Sequence, residues 1–395
     1  MKKLYLDNAA STAITGEVLT EMMPYLTSIY GNAGALHSFG RDAKNALDTA
    51  RERVAKAIGA KSSEIYFTSG ATESNNWALI GLAEQYAYKG NHIITSAIEH
   101  PSVLETCKYL EKNGFKVTYL PVDKYGMVNI ADLLHAIQKD TILVSIMMAN
   151  NEVGTIQNIK AIAHTVKEKD IIFHTDAVQA LGAFHINVEE MLIDAMTISG
   201  HKIYGPKGIG ALYLKKGINI EPLMHGGHQE HGKRGGTENV AGAVGLGKAC
   251  EIATRDIMVN AKKLKKIRDY LIKQIYEKIP YVQLNGHPIQ RLPGNASISF
   301  GMVDGEAVLM MLDLNGIAVS NGSACSAGIS QLSHVLTAMG LSTELAKGTV
   351  RFSLPKSMTK EDVDYVVEKL SEVVEKLRSM SALRKNNIGE FSDVQ

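Results

Sequence analysis

Several short segments of this chain carry side chains whose types and spacing could do chemistry on an electron-withdrawing ring that bears a phosphate. Lys202 lies in Ser199-Gly200-His201-Lys202, ahead of a glycine-rich turn that runs to Gly210. Most lysines are solvated. One that condenses with a carbonyl must be held inside a site and attack as a neutral amine, which burial and cationic surroundings promote. Asp176, in His174-Thr175-Asp176-Ala177-Val178-Gln179, follows an apolar run; a carboxylate there either pairs with a protonated ring nitrogen or caps the next helix. In Thr68-Ser69-Gly70-Ala71-Thr72-Glu73, Gly70 permits a tight turn, and the N–H groups of Ala71 and Thr72 would open a helix. Such a terminus holds a phosphate through unsatisfied donors and the helix dipole, or is an ordinary cap. His100, in Ile98-Glu99-His100-Pro101-Ser102-Val103, could stack on a ring or shuttle protons, although a lone histidine is usually structural.

A different chemistry belongs to Cys325. Its surroundings, Ser320-Asn321-Gly322-Ser323-Ala324-Cys325-Ser326-Ala327-Gly328, are small, polar and glycine-rich, which predicts a mobile loop with little steric protection of the thiol. Cys250 and Cys107 have the apolar or helical neighbours typical of inert cysteines. The three cysteines form no paired ligand motif, so neither a disulfide framework nor a zinc site is expected. His225, His228 and His231 lack a carboxylate or cysteine at metal spacing and are expected in a solvent-facing or cofactor-edge loop.

The elements that must position these residues are legible as periodicity. Seven short runs read as strands: Ile65–Phe67, His92–Ile94, Val117–Leu120, Ile142–Val144, Ile171–Phe173, Ala195–Ile198 and Ala211–Leu214. Several are nearly continuous in apolar residues, as strands buried on both faces are. Stretches such as Glu73–Ala87 and Ile159–Glu168 are long enough for crossover helices. The fold expected is α/β, a large domain over 15–251 with a mostly parallel seven-stranded sheet. Leu264, Ile267, Leu271 and Ile275, and later Val363, Val366, Val367, Leu370, Val373, Val374 and Leu377, recur at helical spacing. Thr359 and Asp362 supply a start signal for the last helix. With the strand-like Ala296–Phe300 and Val350–Leu354, these imply a smaller α+β domain of 1–14 and 252–383 that carries the Cys325 loop; 384–395 reads as a mobile tail.

Composition excludes more than it assigns. With 45% hydrophobic and 21% charged residues over 395 positions, the chain is globular rather than disordered. Its 42 basic and 41 acidic residues provide no global field to attract nucleic acid or an anionic membrane. No apolar run suggests a membrane span or a signal-peptide core, so the expected location is cytoplasmic.

Taken in order, Thr68–Glu73, Glu99-His100, Asn150-Asn151-Glu152-Val153-Gly154, Asp176–Gln179 and Ser199–Lys202 resemble the NifS/IscS-type cysteine desulfurases of the class V aminotransferase family. The resemblance runs from Tyr5-Leu6-Asp7-Asn8-Ala9-Ala10 to Arg351-Phe352-Ser353-Leu354. It implies a fold-type-I enzyme that uses pyridoxal 5'-phosphate. Lys202 would hold the cofactor covalently and move protons at the substrate α-carbon, Asp176 would pair with the pyridine nitrogen, Gln179 would bond the phenolic oxygen, and His100 would stack on the ring. The phosphate would fall to Ala71, Thr72, Ser199 and His201, and the L-cysteine carboxylate to Asn151 and Arg351. Cys325 would take the sulfur as a persulfide. Thr237 matches a threonine that reaches the partner subunit's phosphate, which implies a homodimer. An iron–sulfur scaffold protein or a tRNA-thiolation sulfurtransferase would accept the sulfur. The chain departs from the family at His228 and His231, where glycine and arginine are commoner, at Leu332 in place of a proline, and at Asn32-Ala33-Gly34-Ala35.

Two other classes compete. Another fold-type-I enzyme, an aminotransferase or selenocysteine lyase, would use Lys202 and Asp176 equally well, but an aminotransferase needs no carrier thiol. A catalytically silent scaffold need not retain Lys202, Asp176, His100, Arg351 and Cys325 together. A nicotinamide dehydrogenase is set aside, since no strand opens into Gly-x-Gly-x-x-Gly.

Overall fold

The computed structural model describes residues 2–321 and 332–380. Cys325 and the segment 384–395 lie outside the described residues.

All seven expected strands of the large sheet form; six are extended by a residue or two, and the one expected at Ile171–Phe173 starts a residue later and runs on to Asp176. In spatial order they are Ile65–Thr68, Gly210–Leu214, Ala195–Ser199, Ile172–Asp176, Thr141–Ser145, His92–Ser96 and Lys116–Leu120. Gly210–Leu214 runs antiparallel to both its neighbours, and every other pairing among Ala195–Ser199, Ile172–Asp176, Thr141–Ser145, His92–Ser96 and Lys116–Leu120 is parallel. Six strands therefore present their carboxyl ends at one edge, where open α/β sheets bind ligands. Five of those six, and Gly210–Leu214, are buried along their whole length; the edge strand Lys116–Leu120 is not. That is why they read as continuous apolar runs rather than alternating ones.

Helices cover both faces. Ala71–Gln85 begins where Gly70 leaves the strand Ile65–Thr68, and Pro101–Lys112 begins at His100 with Pro101 in its first position, where the missing N–H is no loss. Ser38–Ile58 ends at Gly59 in the left-handed conformation, φ 69°, as glycine permits. It packs against Val240–Arg255 through Ala43, Leu47, Ala50 and Val54 on one side and Ala243, Leu246, Cys250 and Ala253 on the other.

A second apolar cluster lies around the antiparallel sheet Thr349–Ser353, Asn295–Phe300, Val282–Asn285. The helices Ile257–Lys278 and Lys360–Met380 cover it with the stripes seen in the sequence. The expected start signal is a reciprocal cap: Thr359 N donates to Asp362 Oδ2 (2.9 Å) and Asp362 N to Thr359 Oγ1 (3.2 Å). Leu4–Tyr5 pairs in parallel with Ile317–Ala318, and Leu6 packs in this cluster. The short helix His334–Ala338 instead docks Val335 and Leu336 on Ile98, Met147 and Val153, at the strand ends of the large sheet. Among the described residues no helix is long and apolar enough to cross a membrane.

The helix pair Ser38–Ile58 and Val240–Arg255 gives a packing test. A Cβ on Gly247 would lie 2.9 Å from both Cα and O of Ala50, a backbone contact no rotamer relieves. Overpacking costs about 1–3 kcal/mol, and alanine recovers up to ~1 kcal/mol of helix propensity. Gly247→Ala should therefore lower unfolding free energy by about 1–2 kcal/mol in denaturant titrations. Unchanged or raised stability would show that the helices separate freely.

Candidate active site

The carboxyl edge of the large sheet and the second sheet enclose a cavity of about 950 Å³. Eleven of the twelve site residues expected from the sequence, and described here, can be followed directly. Ala71, Thr72, His100, Asn151, Asp176, Gln179, Ser199, His201, Lys202 and Arg351 all line the cavity. Thr237 does not line the cavity of its own chain. Cys325 lies outside the described residues, but Leu332, Ser333 and His334, which follow it in the chain, also line the cavity.

The N-terminal segment does much of the positioning. Lys202 Nζ donates to the main-chain oxygens of Ala9 (2.6 Å) and Ala10 (2.7 Å). Gln179 Nε2 also donates to Ala9 O, at 3.0 Å. Thr12 holds the turn after Lys202: its N and Oγ1 both donate to His201 O at 2.9 Å, and Tyr204 N donates to its Oγ1 at 2.8 Å. On the opposite side Asp7 forms an ion pair with the buried Arg351 guanidinium at 2.7 Å. Arg351 Nη1 donates to Asn151 O at 3.2 Å, which places the guanidinium beside that loop. Asn150, one residue earlier, is structural: its amide spans Ile98 O (3.0 Å) and the N–H groups of Glu152 (2.9 Å) and Val153 (3.0 Å).

Asp176 is buried at its strand end. Oδ1 accepts from Val178 N (2.9 Å), in the turn after the strand, and Oδ2 from Asn75 Nδ2 (2.8 Å). Asn75 escaped the sequence reading; its signal was its place one helical turn after Ala71, on the helix that opens the cavity. Asn75 Nδ2 also reaches Ser102 Oγ (2.9 Å), and Ser102 bonds His100 Nδ1 through Oγ (2.8 Å) and N (3.1 Å). His100 thus caps its own helix while its ring faces the cavity.

Burial sets the protonation of the neighbours. It lowers the His100 pKa, opposed by Asp176 and reinforced by Lys202 and His334. His201 is pushed down to about 4, first by burial and then by Lys202 and Lys207, so its imidazole is neutral at pH 7. Glu99 is pushed up to about 8 by burial, against hydrogen bonds from Ser96 and Met147. Its Oε1 accepts from Ser96 Oγ (2.6 Å) and Met147 N (2.9 Å), while Oε2 is buried without a partner. Glu99 was visible in the sequence, but its protonation depends on desolvation that only the fold creates. Burial also pushes the Cys107 and Cys250 thiols up to about 12, as expected of inert cysteines.

A profile of the aminotransferase class-V family matches residues 4–366. The chain belongs to that family. It is 51% identical over 384 residues to the cysteine desulfurase IscS of Dictyoglomus turgidum, covering 97% of this chain and 98% of that one. It is 52% identical over 382 residues to the cysteine desulfurase IscS of Methanosarcina thermophila, covering 97% and 94%. Among solved structures, a NifS-like protein superposes with a TM-score of 0.90 at 41% identity, over 95% of this chain and 100% of that one. The apo cysteine desulfurase of Thermococcus onnurineus superposes with a TM-score of 0.85 at 26% identity, over 95% of each chain.

The family works with pyridoxal 5'-phosphate, and this cavity's donor set fits that group. A phosphate suits the opening of the helix Ala71–Gln85, where a Cβ built on Gly70 meets nothing within 4 Å and Thr72, Ser199 and His201 stand alongside. A protonated ring nitrogen suits the buried Asp176, and an aldehyde suits Lys202.

Beside this opening the loop after Met224 carries strain. Glu230 (φ 45°), His231 (φ 59°) and Gly232 (φ 77°) are successively left-handed, a conformation that costs a non-glycine residue about 1–2 kcal/mol. The fold holds it with a buried bidentate pair, Arg51 Nη1–Glu230 Oε2 at 2.6 Å and Nη2–Oε1 at 2.8 Å.

Glu99 provides a pH test. Its folded pKa lies above the ordinary glutamate value, so its contribution is complete below about pH 4.5 and is lost as pH rises toward 8. Wild-type stability relative to Glu99→Gln should fall by about 1.4 kcal/mol per pH unit between roughly pH 5 and 8. Unfolding titrations of both proteins across that range measure the slope; a flat difference would mean that Glu99 is ionised throughout.

Proposed function

We propose that this chain is a homodimeric cysteine desulfurase that converts L-cysteine to L-alanine and leaves the sulfur on Cys325 as a persulfide. The observation that carries the reading is the convergence of Lys202, Asp176 and the buried Arg351 on one cavity, joined to near full-length identity with cysteine desulfurases.

Bound pyridoxal phosphate supplies an electron sink for the pair released when the substrate α-proton leaves. Arg351, with Asn151 beside it, binds the substrate carboxylate; a guanidinium suits this through its planar fork. Lys202 Nζ, set between two carbonyl oxygens, takes and returns the proton at the substrate α-carbon. Asp176 holds the proton on the ring nitrogen, Gln179 bonds the phenolic oxygen, and His100 stacks on the ring. Ala71 N, Thr72, Ser199 and the neutral His201 hold the phosphate. The Cys325 thiolate attacks the substrate sulfur, the bond between that sulfur and the β-carbon breaks, and the carbon gains a proton. Cysteine and one protein thiol thus become alanine and one protein persulfide, with no external oxidant. Asn321, four residues before Cys325, adjoins Ser320, whose N donates to Arg351 O at 3.2 Å.

Two finer readings belong to the proposal. The helix Gly16–Thr27 exposes Leu19, Met23 and Leu26 on one face, next to Tyr30 (73% exposed), Leu36 (92%) and Phe39. An apolar face of this kind marks an interface, and a second copy covering it is the homodimer in which Thr237 serves the partner's phosphate. The apolar clusters of the large and antiparallel sheets support a division into 15–251 and 1–14 with 252–383. The acceptor is an iron–sulfur scaffold protein or a tRNA-thiolation sulfurtransferase, and the enzyme works in the cytoplasm.

Incubation with L-cysteine under reducing conditions should give equimolar alanine and sulfide, with a mass increase of one sulfur on the Cys325 peptide. Cys325→Ser should retain the cofactor yet pass no sulfur to an acceptor; full sulfide output from that variant would remove the carrier role. Lys202→Ala should lose the visible absorbance of the bound cofactor and all turnover. An unchanged spectrum would move the attachment elsewhere.

A further inference from the structure

The loop between Met224 and Thr237 closes on itself. Gly235 N donates to Met224 O at 3.0 Å, and a Cβ on Gly235 would sit 2.7 Å from Gly226 Cα, so the two strands of the neck cross at a pair of glycines. Inside the neck lie the three left-handed residues Glu230, His231 and Gly232. Strain of this kind persists only where the surroundings over-determine it, and it clusters at functional sites.

The surroundings here converge on one carboxylate. Glu230 accepts both Arg51 bonds and a third from Phe67 N, at 2.9 Å to Oε2. Arg51 also donates to Ile65 O at 2.5 Å and lies 4.7 Å over the Phe67 ring. Further along the loop, Arg234 grips Glu73 through Nε (2.8 Å) and Nη2 (3.1 Å), and Glu73 Oε2 accepts from Ser69 N at 2.7 Å. The loop is thereby fixed to its own subunit's strand and helix, while Thr237, three residues beyond Arg234, is not among the residues that line its own cavity.

We propose that Glu230, clamped by Arg51, is a positioning residue for the partner subunit's cofactor site: it locks the strained loop so that Thr237 is presented ready-formed to the phosphate bound across the interface. This rests on the reading that Thr237 acts across a homodimer. A rigid loop adds its hydrogen bond without first being ordered, which is where preorganisation raises affinity. Removing the Glu230 charge therefore weakens cofactor retention in the other subunit, not in its own.

The test uses two-tag heterodimers in which one protomer carries Lys202→Ala, so that borohydride can fix the cofactor only to the other, live protomer. The readout is the fraction of Lys202 peptide modified, by mass spectrometry, as pyridoxal phosphate is titrated. With Glu230→Gln in the Lys202→Ala protomer, half-saturation should rise about tenfold, the ratio that one charge-assisted hydrogen bond supplies. With Glu230→Gln in the live protomer it should stay within about twofold, and Glu230→Asp should partly restore the first arrangement. A shift confined to the live protomer, or equal in both arrangements, overturns the proposal. Thr237→Ala in the same two arrangements separates the parent reading: no effect across the interface sinks that reading. An effect of Thr237→Ala without one of Glu230→Gln sinks only the role of Glu230. If Glu230→Gln does not fold, Arg51→Lys, which keeps the charge and loses the fork, decides the question in the same heterodimers.

Discussion

Five residues between Asp7 and Thr12 hold the site together. Asp7 answers the charge of Arg351, Asn8 Nδ2 and Ala9 N bond Ser353 (3.1 and 2.9 Å), and the carbonyls of Ala9 and Ala10 receive Lys202. Thr12 then fastens the turn that carries His201 and Tyr204. Burying a guanidinium and an ammonium near one another is unfavourable unless each finds partners of suitable geometry. The strand Leu4–Tyr5 supplies the anchorage that keeps those partners in place, by pairing with Ile317–Ala318. The spacing between the Arg351 guanidinium and the Lys202 amine is therefore set by a segment that belongs to neither of the strands beside them.

Once the cavity is enclosed, desolvation decides which groups are charged. His201 is kept neutral beside Lys202 and Lys207, so it can donate to an anion without adding a third positive charge. Glu99 is kept from ionising by burial, and the nearby Asp176 pushes the same way. Both oxygens of Asp176 accept hydrogen bonds, from Asn75 and the Val178 N–H, whereas Glu99 accepts on only one of its oxygens among the described residues.

The same economy of placement appears at the helix Ala71–Gln85. Its first turn is an anion site by geometry, yet Glu73 stands in that turn. Arg234 neutralises it and turns it back toward Ser69 N. The ion pair also joins the opening of the helix to the loop that leads to Thr237. Chemistry at the sheet edge and strain in the loop are parts of one arrangement.

Local order was largely legible in the residues. Apolar runs marked the strands of the large sheet, most plainly those buried on both faces, which leave no polar alternation to confuse the period. Thr359 and Asp362 announced a cap that forms as written, and Lys202, Asp176 and His100 stood out because each stands at the end of a strand or shortly after one. The antiparallel insertion of Gly210–Leu214 between two strands of common direction was not legible, since period reports burial and not direction. Nor were the Asn75–Asp176 bond, the protonation of Glu99, or the Arg51–Glu230 clamp across 179 positions of sequence. Sequence determined which residues could do chemistry and which segments would carry them. Only the tertiary structure decided their partners and charges, because desolvation and hydrogen bonding between distant segments do not exist until the chain has folded.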